Sequence, residues 1–156
     1  MREKRTQNKN TTSNYSRTTF VNLDSEGLDE KKLKKQKPIE PVVGWLVIVG
    51  GYGMGQSFEL KRGLNEIGQD EVNSISINFG DDGIDSIRHF IIIFNHTKGN
   101  FLIQSGSNDS DIVLNEEKMY YFDELNSGDT IKIGSTTLKF ISFCSQSCRW
   151  DFDKLL

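Results

Sequence analysis

Ser86, Arg88 and His89 fall within four residues of one another, immediately before the apolar run Phe90-Ile91-Ile92-Ile93-Phe94. A hydroxyl, a guanidinium and an imidazole at the mouth of a buried strand suggest two kinds of chemistry. Ser86 with His89 could pair a nucleophile with a base, and Ser86 with Arg88 could hold an anion. The first needs an orienting group and an oxyanion hole, and no motif in the chain offers them, so catalysis is not expected. The glycine-rich stretch GGYGMG at 50–55 looks like a phosphate loop, but it lacks the Gly-Lys-Ser/Thr ending and a following helix. It reads as a hairpin connection. Cys144 and Cys148 are too few for a disulfide framework, and two scattered histidines do not complete a metal site. Both cysteines read as reduced thiols, and no metal or cofactor is expected.

The elements that must position these groups are all β in pattern. GWLVIVGG is a buried strand ended by glycines, SISINF alternates, and HFIIIF is β-branched. QSFELKRG, LNEIG, NFLIQS, DIVLN, KMYYF, TIKIG and TTLKFISF complete the series, separated by turn signals such as Gly80-Asp81-Asp82-Gly83, residues 105–110 and Asn126-Ser127-Gly128-Asp129. Short strands at this spacing, with no convincing helix, indicate an all-β sandwich or barrel. Tyr120, Tyr121 and Phe122 read as successive faces of one strand, with one ring toward the core. Trp150 and Phe152, beyond the last strand, read as a segment that folds back over an edge.

Composition divides the chain near Pro41. Residues 1–41 have no apolar run and carry ten Lys/Arg against six Asp/Glu, whereas residues 42–156 carry nine against sixteen, so the two parts hold +4 and −7 of the net −3. The expected organisation is a flexible basic Thr/Ser/Lys-rich tail at 1–41, a sandwich at 42–145 and a C-terminal extension at 146–156. Residues 24–37 suit either a transient helix, with acidic residues leading and lysines following, or a solvated linker. An acidic domain is a poor general binder of nucleic acid. No stretch of about 18 apolar residues is present, and no apolar segment follows the basic N-terminus, so neither membrane insertion nor export is expected and the location reads as cytoplasmic.

Three features together resemble a known family. NEIGQ ends a strand at Gly68, DSIRHFIII sets Ser86 three residues before His89, and LNSGDTIKIGSTTLKF gives a Gly-Asp turn between a leucine and two closing strands. The combination, over about residues 44–143, is similar to the forkhead-associated (FHA) domain. That resemblance implies a β-sandwich of about eleven strands (SMAD/FHA-like) whose loops at one end bind phosphothreonine peptides. It makes Ser86 a phosphate-binding serine and His89 a structural brace, with Gly68 as support.

Two departures bear on the phosphate. Gln69 stands where the family usually has an arginine that binds it, leaving an amide without charge. Ile87 stands where the family has the arginine of Ser-Arg-x-His, with Arg88 one place later; a one-residue shift would instead put Asp85 and Ser86 in the family's Ser and Arg places. GSNDSDIVLN is one residue longer than the family's third loop, so Asn108 or Ser110 could fill the place of its peptide-contacting asparagine. Asp109 and Asp111 add negative charge near the expected dianion, each costing on the order of 1 kcal/mol.

The resemblance thus implies a non-catalytic signalling adaptor in a Ser/Thr kinase and phosphatase circuit, with Gln69, Ser86, Arg88, Ser107 and Asn108 contacting the phosphopeptide. The alternative is a phosphate-independent scaffold with a degenerate site. RTTF at 17–20 resembles the phosphoacceptor segments that precede some bacterial FHA domains, which makes Thr18 and Thr19 candidate acceptors and the chain's own tail a candidate ligand beside a phosphothreonine-containing protein.

Overall fold

The computed structural model describes residues 39–155 apart from Asn108. The expectations for the tail, including Thr18, Thr19 and the helix or linker at 24–37, lie outside the described residues, as does Asn108.

The described residues form the expected β-sandwich from eleven strands: β1 (Gly44–Gly50), β2 (Ser57–Leu60), β3 (Gly63–Gly68), β4 (Ile75–Ser76), β5 (Phe90–Asn95), β6 (Asn100–Ser105), β7 (Ile112–Leu114), β8 (Glu117–Met119), β9 (Phe122–Leu125), β10 (Thr130–Ile133) and β11 (Thr136–Ser142). One sheet runs β2-β1-β11-β10-β7-β8 and the other β4-β3-β5-β6-β9. The period-two alternation decides which face is buried. Leu46 and Ile48 of β1, Leu138 and Phe140 of β11, Phe90, Ile92 and Phe94 of β5, and Phe101 and Ile103 of β6 all point into the core. Phe101 links the sheets, with its ring centroid 4.6 Å from Phe94 and 4.8 Å from Phe140. No described helix is long and apolar enough to cross a membrane.

Phe90 is fully buried directly after His89. Burying such a side chain contributes about 2–3 kcal/mol against ~1 kcal/mol for a typical hydrogen bond. The packing of β5 therefore fixes where the polar mouth of the strand lies, and the loop's hydrogen bonds then refine it.

Two sequence expectations need correction. SISINF supplies only the two-residue β4, because Ile77 turns inward to bond the Gly68 carbonyl at 2.8 Å and the chain then enters a loop. None of Tyr120, Tyr121 and Phe122 reaches the core; they are 70%, 72% and 72% exposed. Tyr120 and Tyr121 lie in the crossing between β8 of one sheet and β9 of the other, and β9 is a sheet edge. Alternation inside a paired strand does not apply there.

Asn115 and Glu116 join β7 to β8 with φ of 49° and 71°, the two-residue turn whose twist suits a hairpin but which strains a side chain such as glutamate. Asn115 offsets its share through bonds to Thr130 N and the Asp129 carboxylate, each at 2.9 Å. Glu116→Gly is expected to raise stability by about 1 kcal/mol, read as a higher denaturant midpoint with an unchanged slope.

The segment after β11 packs onto the sandwich. Trp150 stacks on Phe143 at 5.4 Å and its indole N–H donates to the Val42 carbonyl at 2.7 Å. Phe152, in a short 3-10 turn (Phe152–Leu155), is buried with the Arg62 guanidinium 4.8 Å above its ring. Arg149 donates to the carbonyls of His96 and Thr97. These contacts carry the packed body past residue 145. Burial pushes the thiol of Cys144 up, against the opposing main-chain N–H of Trp150, so Cys144 is protonated near neutrality.

Candidate functional site

Three loops meet at one pole of the sandwich: β3–β4, β4–β5 and β6–β7. The main chain laces them together, with Gln69 N bonding Asp85 O at 3.1 Å, Asp70 N bonding Ser86 O at 2.9 Å, and Gly106 N bonding His89 O at 3.1 Å. Gly68, Gln69, Ser86, Arg88, His89 and Ser107 therefore share one small region although 39 positions separate the first from the last.

Glycine is required at two of the crossings. A Cβ on Gly68 would lie 2.8 Å from both Ser86 O and Asn73 Nδ2, and a Cβ on Gly106 would lie 1.4 Å from Arg88 O. The backbone of the β4–β5 loop occupies the space that side chains would need.

His89 is buried, with Nδ1 accepting from Asp85 N at 2.9 Å and Nε2 at 3.2 Å from Asp111 O. Both backbone contacts call for the proton on Nε2. The Asp85 carboxylate oxygen 3.2 Å from Nδ1 is then a neighbour and not an acceptor. The imidazole thus ties the second loop to the third, and its orientation leaves no lone pair free to take a proton from Ser86.

Ser86 is exposed, and its carbonyl accepts from Asp70 N and Asn73 Nδ2, each at 2.9 Å. Arg88 is held at φ 47° by Asn73 Oδ1, which accepts its N–H at 2.9 Å. Its side chain is half-exposed and pairs through Nε with Glu66 Oε1 at 2.7 Å. Any anion at this pole competes with Glu66 for the guanidinium. Gln69 commits an amide N–H to the β4–β5 loop, donating to the Asp81 carbonyl. Ser107 Oγ lies 3.0 Å from Ser110 Oγ, which donates to Asp85 Oδ2 at 2.8 Å.

Several residues that matter here escaped the sequence reading. Asn73 bonds Asp70, Ser86 and Arg88 and is the brace of the first two loops. Asp81, read only as part of a turn, is buried and ties the β4–β5 loop to the β10–β11 turn by accepting from Thr136 Oγ1 at 2.6 Å, Ser135 N at 2.8 Å and Gly83 N at 3.0 Å. Burial works against its charge, but these donors outweigh that cost and hold its carboxyl below the usual carboxylate value. Lys118, from β8, lies 3.4 Å from Asp111 Oδ1 and offsets one of the loop's acidic charges. Their local sequence, NS, DD and EEK, carries no signal beyond turn and solvent-facing polarity. Among the described residues no group of three or more His, Cys, Asp or Glu is disposed to hold a metal ion.

Among the described residues the arrangement offers the Arg88 guanidinium, exposed hydroxyls and braced loops. Solved structures share the fold in outline. The FHA domain of an Arabidopsis thaliana hypothetical protein is 26% identical with a TM-score of 0.56, over 69% of this chain and 91% of that one. The FHA domain of CT664 from Chlamydia trachomatis is 19% identical with a TM-score of 0.57, over 65% and 98%. The chain has the forkhead-associated fold. The MEK1 FHA domain, solved in complex with a phosphothreonine peptide of HOP1, is 16% identical to this FHA-like domain with a TM-score of 0.53, over 66% and 99%. No family model matches the sequence, and no curated protein matches it.

Proposed function

We propose that the domain is a non-catalytic adaptor that binds a phosphothreonine-containing segment at the loop pole. The observation that carries this reading is the meeting at one pole of the loops that bear Ser86, Arg88 and Ser107, braced by His89 and Asn73 and held by main-chain bonds between loops. A rigid scaffold presenting hydroxyls and a guanidinium is suited to a phosphate dianion, to which charge-assisted bonds are the strong ones. The FHA fold, seen in the MEK1 domain with a phosphothreonine peptide, adds support. Asn108, on the third loop, belongs to the same proposal, as does a role in a Ser/Thr kinase and phosphatase circuit. The ligand is a phosphothreonine protein or the chain's own segment around Thr18 and Thr19. Gln69 contributes through the loop it braces at Asp81 and not as a cation.

The full chain would be titrated with a peptide spanning residues 12–25, unmodified and phosphorylated at Thr18 or at Thr19, and with a degenerate phosphothreonine library. Arg88→Ala should weaken phospho-dependent binding by about tenfold to a hundredfold, the loss of one charged hydrogen-bond partner. Glu66→Gln should tighten it several-fold by releasing Arg88 from the ion pair, a gain that a merely structural Arg88 would not produce. Binding indifferent to phosphate, to Ser86→Ala and to both other substitutions would overturn the reading and favour a phosphate-independent scaffold.

A further inference from the structure

The outward faces of the two sheets differ in the sign of their charge. The strands of the five-stranded sheet contain no Lys or Arg, while Glu66 and Glu124 stand at outward positions. Glu66 is paired with Arg88, and Glu124 has no ion pair among the described residues. On the strands of the six-stranded sheet the outward positions hold Lys118, Lys132 and Lys139 and a single carboxylate, Glu59, which Lys61 pairs at 2.8 Å. Lys118 lies 3.4 Å from Asp111, so Lys132 and Lys139 are the two without an ion pair among the described residues. Such a gathering of cations runs against the composition, since residues 42–156 hold nine Lys/Arg to sixteen Asp/Glu.

A sheet face that meets only water alternates to polar residues. Here the outward rows stay apolar on both sheets. Leu64 is opposite Ile93 and Ile93 opposite Leu102, whose partner on β9 is Glu124. On the other sheet Trp45 is opposite Ile141, Val47 opposite Lys139, and Val113 opposite Lys132. Leu64 is 63% and Ile141 38% exposed. Each face is thus an apolar strip beside charge of one sign, the composition of an association surface. Two like faces in contact would set lysines against lysines or carboxylates against carboxylates. The six-stranded face of one molecule against the five-stranded face of another joins the apolar strips and pairs the charges as well.

We propose that the outward face of the six-stranded sheet docks a second copy of this chain, which presents the outward face of its five-stranded sheet, so that Lys132 and Lys139 of one copy meet Glu124 of the next. The contact is heterologous and does not close on itself, so it propagates as a stack of sandwiches. Five strands about 4.8 Å apart and ~20 Å long offer roughly 400 Å² on each partner. That is the small end for a specific interface, and the stack is accordingly weak and reversible. The loops bearing Ser86, Arg88 and Ser107 lie at the strand ends, outside both faces, so stacking leaves them open. The inference is independent of the phosphothreonine reading.

The test is sedimentation velocity of the full chain over a wide concentration range, in low and in high salt. The parent should sediment faster as concentration rises, and less so in high salt, where the ion pairs are screened. The double variant Lys132→Glu with Lys139→Glu, and separately Glu124→Lys, should each weaken self-association by about tenfold or more. An equimolar mixture of the two should regain it, because the reversed charges again face opposites. All three side chains are at outward positions, so the variants should melt at the temperature of the parent, and a thermal melt verifies that. In the parent alone, amide shifts that depend on concentration should fall on β10 and β11 of one sheet and on β6 and β9 of the other. A parent that stays monomeric throughout would overturn the proposal. So would association that survives either charge reversal, a mixture that fails to recover, or shifts confined to one sheet, which would mean a symmetric contact.

Discussion

Gly106→Ala should destabilise the domain by about 3 kcal/mol or more and displace the β4–β5 loop even in the fraction that folds. The methyl group would begin 1.4 Å from the Arg88 carbonyl carbon's oxygen and 2.5 Å from the carbon itself. Both are backbone atoms, so no rotamer change relieves the clash, and one loop must withdraw. Withdrawal breaks the Gly106 N to His89 O bond and the left-handed setting of Arg88, which Asn73 fixes from the other side. Chemical denaturation should show the loss of stability, and amide exchange should show faster opening from 86 to 89 than in β1 or β11. An unfolding free energy within about 1 kcal/mol of the parent's would mean that the two loops do not cross so closely.

Asp81→Asn is expected to cost about 2–3 kcal/mol at neutral pH. The carboxylate accepts from a hydroxyl and from main-chain N–H groups on two loops, and an amide turns one of its two acceptor atoms into a donor facing donors. The cost should depend on pH with a definite sign. Because the folded-state pKa lies below the usual 3.8, the carboxylate's contribution is fully present above that value and is lost as pH falls through the lower folded value. The parent and Asp81→Asn should therefore differ most from pH 5 upward and converge in strong acid. Equal slopes of stability against pH below 4 in the two proteins would contradict this account.

Much of the sandwich was legible in the chain, because alternation in GWLVIVG, FIIIFN and TTLKFIS reports a buried face directly. The polar cluster before Phe90 was also legible as a mouth, since a buried strand must begin somewhere and its start is where polar groups can stay wet. What the sequence withheld are the partners. Asn73 looks like any loop asparagine until the fold brings Ser86 and Arg88 to it, and Gly106 looks like a flexible loop glycine until Arg88 fills the space beside it. Glu66 reads as a solvent-facing strand residue, yet it decides how free the guanidinium is. The aromatic triplet misled for a related reason: periodicity assumes a strand between two neighbours, and β9 has one.

The contact between Trp150 and the Val42 carbonyl gives the module a direction. The strand leaving Val43 and the segment following Ser142 come together beside the β5–β6 turn, where a Cβ on Gly99 would lie 2.7 Å from Ser145 O, while the loops with Ser86, Arg88 and Ser107 open at the other end of β5 and β6. The two ends of the sandwich thus share one pole and the loops of the candidate site take the other, about one strand length or ~20 Å away. A segment joined at Val42 starts its path from the pole opposite the loops, so any peptide of the same chain that reaches Arg88 must first travel the length of the sandwich.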